Sequence, residues 1–134
     1  MVAGAEADAG AAKTQTAGPG ILFDQAGLLI SRSTEMAWQP GGLPGIWSRP
    51  LFVDPARKYT TALVRMDAGT VYPSHRHNDV EELYLLQGDL LVEGHLMRPG
   101  DYCRAEPGSI HGEVRTESGA LFVVLSSQQD ELLA

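Results

Sequence analysis

The feature that most constrains the fold is a succession of short apolar segments between residues 59 and 127, most of them closed by Gly or Pro-Gly. The segments read YTTALVRM, ELYLLQG, DLLVEG, HLMRPG, DYCRAEPG, SIHGEV and ALFVVLSS. They are rich in β-branched and other apolar residues, and Gly and Pro at their ends favour turns. Seven short strand candidates and no long amphipathic helical stretch predict an all-β sandwich or barrel.

The length of 134 residues suits one domain with one core. The first residues are Ala- and Gly-rich and too polar to offset their ordering entropy, which predicts a disordered tail. A following Pro- and Gly-rich stretch excludes a long helix, and we expect its tryptophans to pin it to the barrel. The predicted organisation is a tail at 1–20, an extension packed on the barrel at 21–57, the barrel at 58–127 and a C-terminal tail with at most one helical turn at 128–134.

Composition excludes several function classes. A formal charge of -7, a pI near 4.9 and the lack of a basic cluster argue against binding to nucleic acid. No apolar run approaches the roughly 20 residues of a membrane helix, and the first residues lack the features of a signal peptide. The single cysteine, Cys103, excludes an internal disulfide. We therefore expect a cytoplasmic protein without a membrane partner.

The chemistry of the chain concentrates in the stretch SHRHNDVEELYLLQG, residues 74–88. His75 and His77 are two positions apart, so on a strand both side chains leave the same face, with Cα atoms about 6.6–7 Å apart. Glu81 has the same parity but would lie about 13 Å beyond His77 on a straight strand. The Asn-Asp pair between them favours a turn, so we expect the chain to reverse there.

That reversal would place Glu81 at the start of the returning strand, opposite the histidines. His111, which follows a Pro-Gly turn, could add a third imidazole from a later hairpin. Imidazole and carboxylate together suit a first-row transition metal better than Ca²⁺ or Mg²⁺. An isolated His-x-His pair in a loop is more often a solvated pair than a metal site, and the residues alone leave that alternative open.

Two stretches resemble the sequence motifs of the cupin family. GTVYPSHRHNDVEELYLLQG is similar to the first motif, and GDYCRAEPGSIH is similar to the second. In the second motif six residues, rather than the usual five, separate Gly100 from Pro107. The resemblance implies a single-domain cupin, which is a double-stranded β-helix or jelly-roll barrel. It also implies that one divalent transition metal ion binds to His75, His77, Glu81 and His111, with Fe(II) or Zn expected first and Mn, Ni and Cu left open.

A narrower resemblance involves the cupin domain of ChrR-type anti-sigma factors. Together with AWQPGGLPGIWSRPL upstream, the two motifs extend this similarity over residues 38–126. ChrR-type proteins carry an N-terminal zinc-binding helical domain with His and Cys ligands, whereas no His or Cys precedes Trp38 here. Sigma-factor binding is therefore not expected. Similar short cupins include non-haem iron dioxygenases that cleave diketones or hydroxyacetophenones.

These resemblances leave two functions open. The favoured one is an oxidoreductase, a dioxygenase-like enzyme whose metal acts on a small oxygenated molecule held in the barrel. The alternative is a non-catalytic, ChrR-like metal-binding sensor, and a purely structural ion ranks last. The candidates for contacting the small molecule are Tyr72, Tyr102, Cys103 and Arg104, although surface or inter-strand pairing is the alternative for each tyrosine and arginine. For Cys103 the alternative is a small buried hydrophobe, which is the more usual role of a free cysteine.

Strand parity also predicts a protein partner. Glu82, Tyr84 and Leu86 alternate with the inward face that begins at Glu81, so they should point outward. We expect Glu82 to face solvent or an arginine rather than the metal. Tyr84 and Leu86 are unusual on an exposed face, and we expect a second subunit to cover them, which predicts a homodimer.

Overall fold

The computed structural model describes residues 20–23, 26–126 and 130–133 of the chain. Apart from a short 3-10 helix at Ser33–Glu35, the regular elements in these ranges are β-strands, as predicted. No helix in them has the length and apolar character needed to cross a membrane. The strands are β1 (Ile21–Phe23), β2 (Leu29–Ser31), β3 (Gln39–Pro40), β4 (Ile46–Asp54), β5 (Tyr59–Met66), β6 (Val71–Tyr72), β7 (His75–Arg76), β8 (Glu81–Gly88), β9 (Leu90–Val92), β10 (His95–Met97), β11 (Tyr102–Ala105), β12 (Ile110–His111), β13 (Val114–Arg115), β14 (Ala120–Ser126) and β15 (Glu131–Leu132).

The largest sheet has six strands in the order β11-β8-β14-β5-β4-β3, and all neighbours are antiparallel. β4 pairs with β5 along its length, so this sheet begins before residue 58, within the segment predicted to be an extension. The tryptophans anchor this segment as expected. The Trp38 ring lies 4.2 Å from the guanidinium carbon of Arg49, and Trp47 Nε1 donates to Asp67 Oδ2 at 3.1 Å.

Two smaller sheets complete the fold, in the orders β10-β9-β13-β6 and β12-β7-β15, beside a separate β1-β2 hairpin. β15 lies in the segment predicted to be a tail with at most one helical turn, and that prediction is wrong for residues 130–133. A run this short cannot sustain an isolated helix. It pairs instead with β7, where Leu132 lies opposite His75 and Leu133 N donates to Ser74 O at 2.8 Å.

The core lies on the inner face of the main sheet and against β9 and β10. Leu85 and Leu90 are fully buried. Along β8 the alternation is as predicted, because Leu85 faces the core whereas Tyr84 and Leu86 are 46% and 40% exposed. The buried apolar cluster consists of Ile46, Met66, Leu85, Leu90, Met97, Ala120 and Phe122.

The chain reverses between β7 and β8, at the predicted Asn-Asp pair. β7 ends one residue before His77, but the backbone of His77 continues the pairing. Its N–H donates to Ser109 O at 2.9 Å, and its carbonyl accepts from Gly108 N at 2.7 Å. Glu81 therefore opens the returning strand, next to the residues that follow β7.

A tight turn joins β8 to β9 and packs against the loop before β14. Gly88 has a φ of 83°, and a Cβ there would overlap the carbonyl oxygen of Gly119. The next residue, Asp89, accepts hydrogen bonds from Glu117 N at 2.8 Å and from both the hydroxyl and the backbone N–H of Ser118. The Ser118 hydroxyl contributes most to lowering the pKa of Asp89 to about 2, followed by the Glu117 backbone N–H.

Candidate metal centre

Three imidazoles meet where β7 pairs with β12. His75 lies directly opposite His111 in this pair, and His77 follows the end of β7. The ring centroids of His75 and His77 are 4.6 Å apart, and those of His77 and His111 are 5.1 Å apart. His75 and His77 are only 3% and 2% exposed. Strand pairing therefore brings the predicted histidines into one cluster, in which His75 and His77 are buried and His111 is 27% exposed.

The surroundings of the first two imidazoles indicate which nitrogen carries the proton. His75 Nδ1 lies 2.8 Å from Pro73 O, a carbonyl that can only accept, so Nδ1 donates and Nε2 keeps its lone pair. His77 Nδ1 lies 3.1 Å from Asp130 Oδ1, which also accepts when ionised. By this assignment two lone pairs face each other, because the two Nε2 atoms are 3.1 Å apart.

Two carboxylates lie on the Nδ1 side of His77. Glu81 Oε2 is 3.6 Å from Nδ1, and its side chain is 23% exposed. Burial raises the pKa of Glu81 to about 8, and the negative charge of Asp130 adds to the effect. Burial also lowers the pKa of His77, against the opposing influence of Asp130. Burial thus disfavours the ionised form of Glu81, and a bound metal ion would offset the cost of forming its charge there.

The sequence analysis missed Asp130, which precedes β15. Its side chain is 10% exposed, and Tyr72 Oη donates to its Oδ2 at 3.0 Å. Of the described residues, one group of potential ligands has atoms all within 4.8 Å of one another, and it consists of His75, His77 and Asp130. No motif marks Asp130, because its place depends on the pairing of β15 with β7.

His111 lies beside this group rather than in it. Its Nε2 is 3.0 Å from Ser109 Oγ, and its Nδ1 is 3.5 Å from Glu93 Oε1. Glu81 likewise lies beside the group. The structure therefore gathers all four predicted ligands in one place, and their role as metal ligands stays a prediction.

Two of the four residues predicted to contact a small molecule lie on the inner side. The Tyr72 ring stands edge-on to His75, with centroids 4.9 Å apart, and burial is the main cause that raises the pKa of its hydroxyl. Cys103 lies opposite Leu83 in the pairing of β11 with β8, and burial raises the pKa of its thiol. Its half-buried contact with the core fits the alternative of a small hydrophobe.

The other two residues, Tyr102 and Arg104, point away from the cluster, so the alternative of surface or inter-strand pairing fits them and their contact with a small molecule stays a prediction. Strand alternation explains the difference, because they flank the inward-facing Cys103 in β11. Tyr102 is 52% exposed and donates to Glu82 Oε1 at 2.7 Å. Arg104 Nε pairs with Glu106 at 2.7 Å and its Nη1 lies 3.9 Å from Glu82, so Glu82 faces an arginine as predicted.

Solved structures resemble this fold at low sequence identity. Acetylacetone dioxygenase from Acinetobacter johnsonii superposes with a TM-score of 0.65 at 20% identity, over 72% of each chain. KdgF from Halomonas sp. superposes with a TM-score of 0.59 at 28% identity, over 72% of this chain and 90% of the other. The Rhodobacter sphaeroides complex of SigE with the anti-sigma ChrR gives 0.58 at 21% identity, over 69% of this chain and 50% of the other.

These likenesses confirm the predicted all-β cupin fold. A search among curated proteins finds no match. In contrast, the family model described as "ChrR Cupin-like domain" matches residues 27–129, which is most of the chain. The predicted resemblance is thereby confirmed, and the chain belongs to the family of ChrR cupin-like domains.

Proposed function

We propose that this protein is a metal-binding cupin that acts as a non-haem, metal-dependent oxygenase on a small oxygenated organic molecule. The observation that carries the proposal is the 3.1 Å separation of His75 Nε2 and His77 Nε2. Two lone pairs at this distance repel each other unless a proton or a cation lies between them. Two nitrogens bound to one ion at roughly 2.0–2.1 Å, with angles near 90–110°, would be about 2.9–3.4 Å apart, so the pair fits a shared ion.

The donor set favours a first-row transition metal. His75, His77 and His111 would hold the ion, together with Glu81 once its side chain turns from the Nδ1 side of His77 toward the imidazole pair. This set adds one imidazole to the two imidazoles and one carboxylate that are typical of non-haem Fe(II) oxygenases. When bound, such an ion supplies a Lewis acid and a source of electrons for reaction with O₂.

The residues of the chain would orient the substrate and exclude water. Cys103, Leu83 and Val124 are cross-strand neighbours on the inner face of the main sheet, in the row next to Glu81. This row gives the site an apolar wall, which strengthens electrostatic interactions inside it. Tyr72 would border the substrate with its ring, while its hydroxyl stays engaged by Asp130. A compact, weakly polar substrate fits these surroundings better than a highly charged one.

Metal analysis and oxygen uptake test this proposal together. Protein purified without chelators should contain about one transition metal ion per chain. After loading with Fe(II), it should consume O₂ in the presence of diketones or hydroxyaryl ketones, a first choice supported by the fold shared with an acetylacetone dioxygenase. The double variant His75→Ala/His77→Ala should lose both properties. A wild-type protein that binds no transition metal would overturn the proposal.

A metal-binding sensor is the second candidate. It is favoured by the near-complete burial of His75 and His77, at 3% and 2% exposed, and by the match to ChrR cupin-like domains. A sealed site suits an ion whose ligation changes on oxidation better than an ion that turns over substrate. Tightly held zinc without O₂ uptake for any ketone would support the sensor over the oxygenase.

A further inference from the structure

We propose that Asp130 is a positioning residue, which fixes the tautomer of His77 so that Nε2 is free to bind a metal ion. This inference rests on the proposed metal site, and it adds a role for a segment outside the residues that match the family, which end at 129. The carboxylate acts through His77 and is not itself assigned as a ligand.

The contacts of Asp130 support this role from both of its oxygens. Tyr72 Oη donates to Oδ2 at 3.0 Å, which holds the carboxylate in place, while Oδ1 lies 3.1 Å from His77 Nδ1. That Nδ1 atom is buried and has no well-aligned hydrogen bond among the described residues. Buried ring nitrogens normally have a partner, and Asp130 Oδ1, at 3.1 Å, is close enough to accept from this one once the two groups are aligned.

Both histidines of the pair need an acceptor that holds a proton on Nδ1, and different groups provide it. For His75, the backbone carbonyl of Pro73 holds the proton on Nδ1. For His77, Asp130 is closer to Nδ1 than Glu81, whose Oε2 is 3.6 Å away. Without Asp130, the proton of His77 could move to Nε2, where it would block the side that faces His75. A metal ion would then have to displace that proton before it could bind.

β15 places Asp130 by strand pairing. Glu131 lies opposite Arg76 and Leu132 lies opposite His75, and Arg76 Nε is 3.3 Å from Glu131 Oε2. Glu131 therefore provides a control on the same strand. It is a neighbouring carboxylate that forms its ion pair with Arg76 rather than with His77.

The first test is the affinity for Zn²⁺, measured by competition with a coloured chelator. Asp130→Ala should weaken binding about 10- to 100-fold, the usual cost of removing a group that orients a metal-binding histidine. Asp130→Asn should weaken it less, because the amide oxygen can still accept from Nδ1. Tyr72→Phe, which keeps the aspartate but removes its support, should fall between wild type and Asp130→Ala. Glu131→Gln should bind like the wild type.

The second test is the tautomer itself, read from ¹⁵N NMR of labelled histidine in metal-free protein at a pH where His77 is neutral. His77 should carry its proton on Nδ1 in the wild type and in Asp130→Asn, and shift toward Nε2 in Asp130→Ala. This readout would not respond to a loss of stability alone. The inference is overturned if Asp130→Ala keeps the Nδ1–H tautomer, or if Glu131→Gln weakens Zn²⁺ binding as much as Asp130→Ala does.

The two proposals fail in different ways. If the wild type does not bind Zn²⁺ or another transition metal, the proposed function fails, while the NMR measurement still decides whether Asp130 sets the tautomer. If the wild type binds Zn²⁺ and Asp130→Ala binds it equally well, the proposed function stands and the role of Asp130 is rejected.

Discussion

Adjacent residues in this protein have opposite surroundings, and the pair Glu81 and Glu82 shows it most clearly. Glu81 lies 3.6 Å from His77 and its side chain is 23% exposed, whereas the Glu82 side chain is 31% exposed and accepts a hydrogen bond from Tyr102 on the outer face. The two side chains have the same chemistry, so any difference between their effects on metal binding reflects position alone.

Glu81→Gln should therefore reduce metal retention, because it removes a negative charge and a ligand oxygen beside the histidine pair. We expect an affinity loss of about 10- to 100-fold or more. Glu82→Gln is the matched control and should leave affinity unchanged. The measurement is the metal-to-protein ratio after dialysis against a weak chelator. If the two variants retained equal amounts of metal, the assignment of Glu81 to the site would be rejected.

Asp89 gives a prediction about pH that is independent of the metal centre. Its pKa in the folded protein is lowered from 3.8 to about 2, so its contribution to stability is present above the unfolded value and is lost as the pH falls from about 4 toward 2. Urea unfolding should show a stability gap between wild type and Asp89→Asn that is full above about pH 4 and closes as the pH falls toward 2. Glu117→Gln, which removes a carboxylate from the neighbouring loop before β14, should run parallel to the wild type. A constant gap between wild type and Asp89→Asn would contradict the assignment.

For single residues, spacing along the sequence predicts the position of some side chains but not of others. His75, His77 and Glu81 lie within one short stretch, so strand geometry and a turn signal are sufficient to bring them together. The outward direction of Tyr102 and Arg104 could have been predicted from the alternation around Cys103. Asp130 could not, because its position depends on which strand β15 pairs with, and the short C-terminal stretch carries no signal of that choice.

Among the elements, the turn between β8 and β9 shows why short strands here need glycine at their ends. A residue with a side chain would be strained at the positive φ of Gly88, and the Gly119 carbonyl fills the space that its side chain would take. Gly69 has a similar φ of 80°, but no atom lies within 4 Å of the position of its missing Cβ. A substitution of Gly69 therefore tests backbone strain alone, whereas a substitution of Gly88 tests strain together with steric overlap.

Gly69→Ala should lower the free energy of unfolding by about 1–2 kcal/mol, the cost of a left-handed residue. Gly88→Ala should lower it by about 2–5 kcal/mol, because overpacking adds to the same strain. Chemical denaturation of both variants measures the difference. Similar losses would show that the loop before β14 moves aside at little cost.

Element prediction succeeds where the chain alternates and is bounded by turn residues, as in β5, β8 and β11. It is less accurate where a strand is recognised only by its neighbours. β4 contains a proline and a tryptophan, yet it pairs along its whole length with β5. The segment SIHGEV was predicted as one strand, but it divides into β12 and β13, which join different sheets. Pairing over long sequence separation decides these cases.

For the whole molecule, the outer face of the main sheet carries a continuous apolar row. Tyr102, Tyr84, Val123 and Leu63 are successive cross-strand neighbours on four strands. Tyr84 and Tyr102 are about half exposed, at 46% and 52%. A row of this kind on a free surface favours burial against an apolar partner, and a second copy of the chain provides a complementary face by symmetry.

We accordingly expect the predicted homodimer in solution. Sedimentation at micromolar concentration should give a dimer for the wild type and for Leu96→Lys, which changes an exposed leucine in β10 that belongs to a different sheet. Tyr84→Lys should shift the equilibrium toward monomer, because it places a charge in the centre of the row. A monomeric wild type would contradict the prediction.

The strand pairings that bring the histidines and acids together also determine when the metal site can form during synthesis of the chain. The His75–His77 pair, His111 and Asp130 belong to separate segments that only the β7–β12 and β7–β15 pairings join. A polypeptide still on the ribosome has no assembled donor set until residue 111 has emerged and β12 has paired with β7, and it lacks the carboxylate that orients His77 until residue 130 follows. On our proposal, ion capture therefore follows these strand pairings, and the cellular supply of metals at that moment helps to decide which ion is taken up.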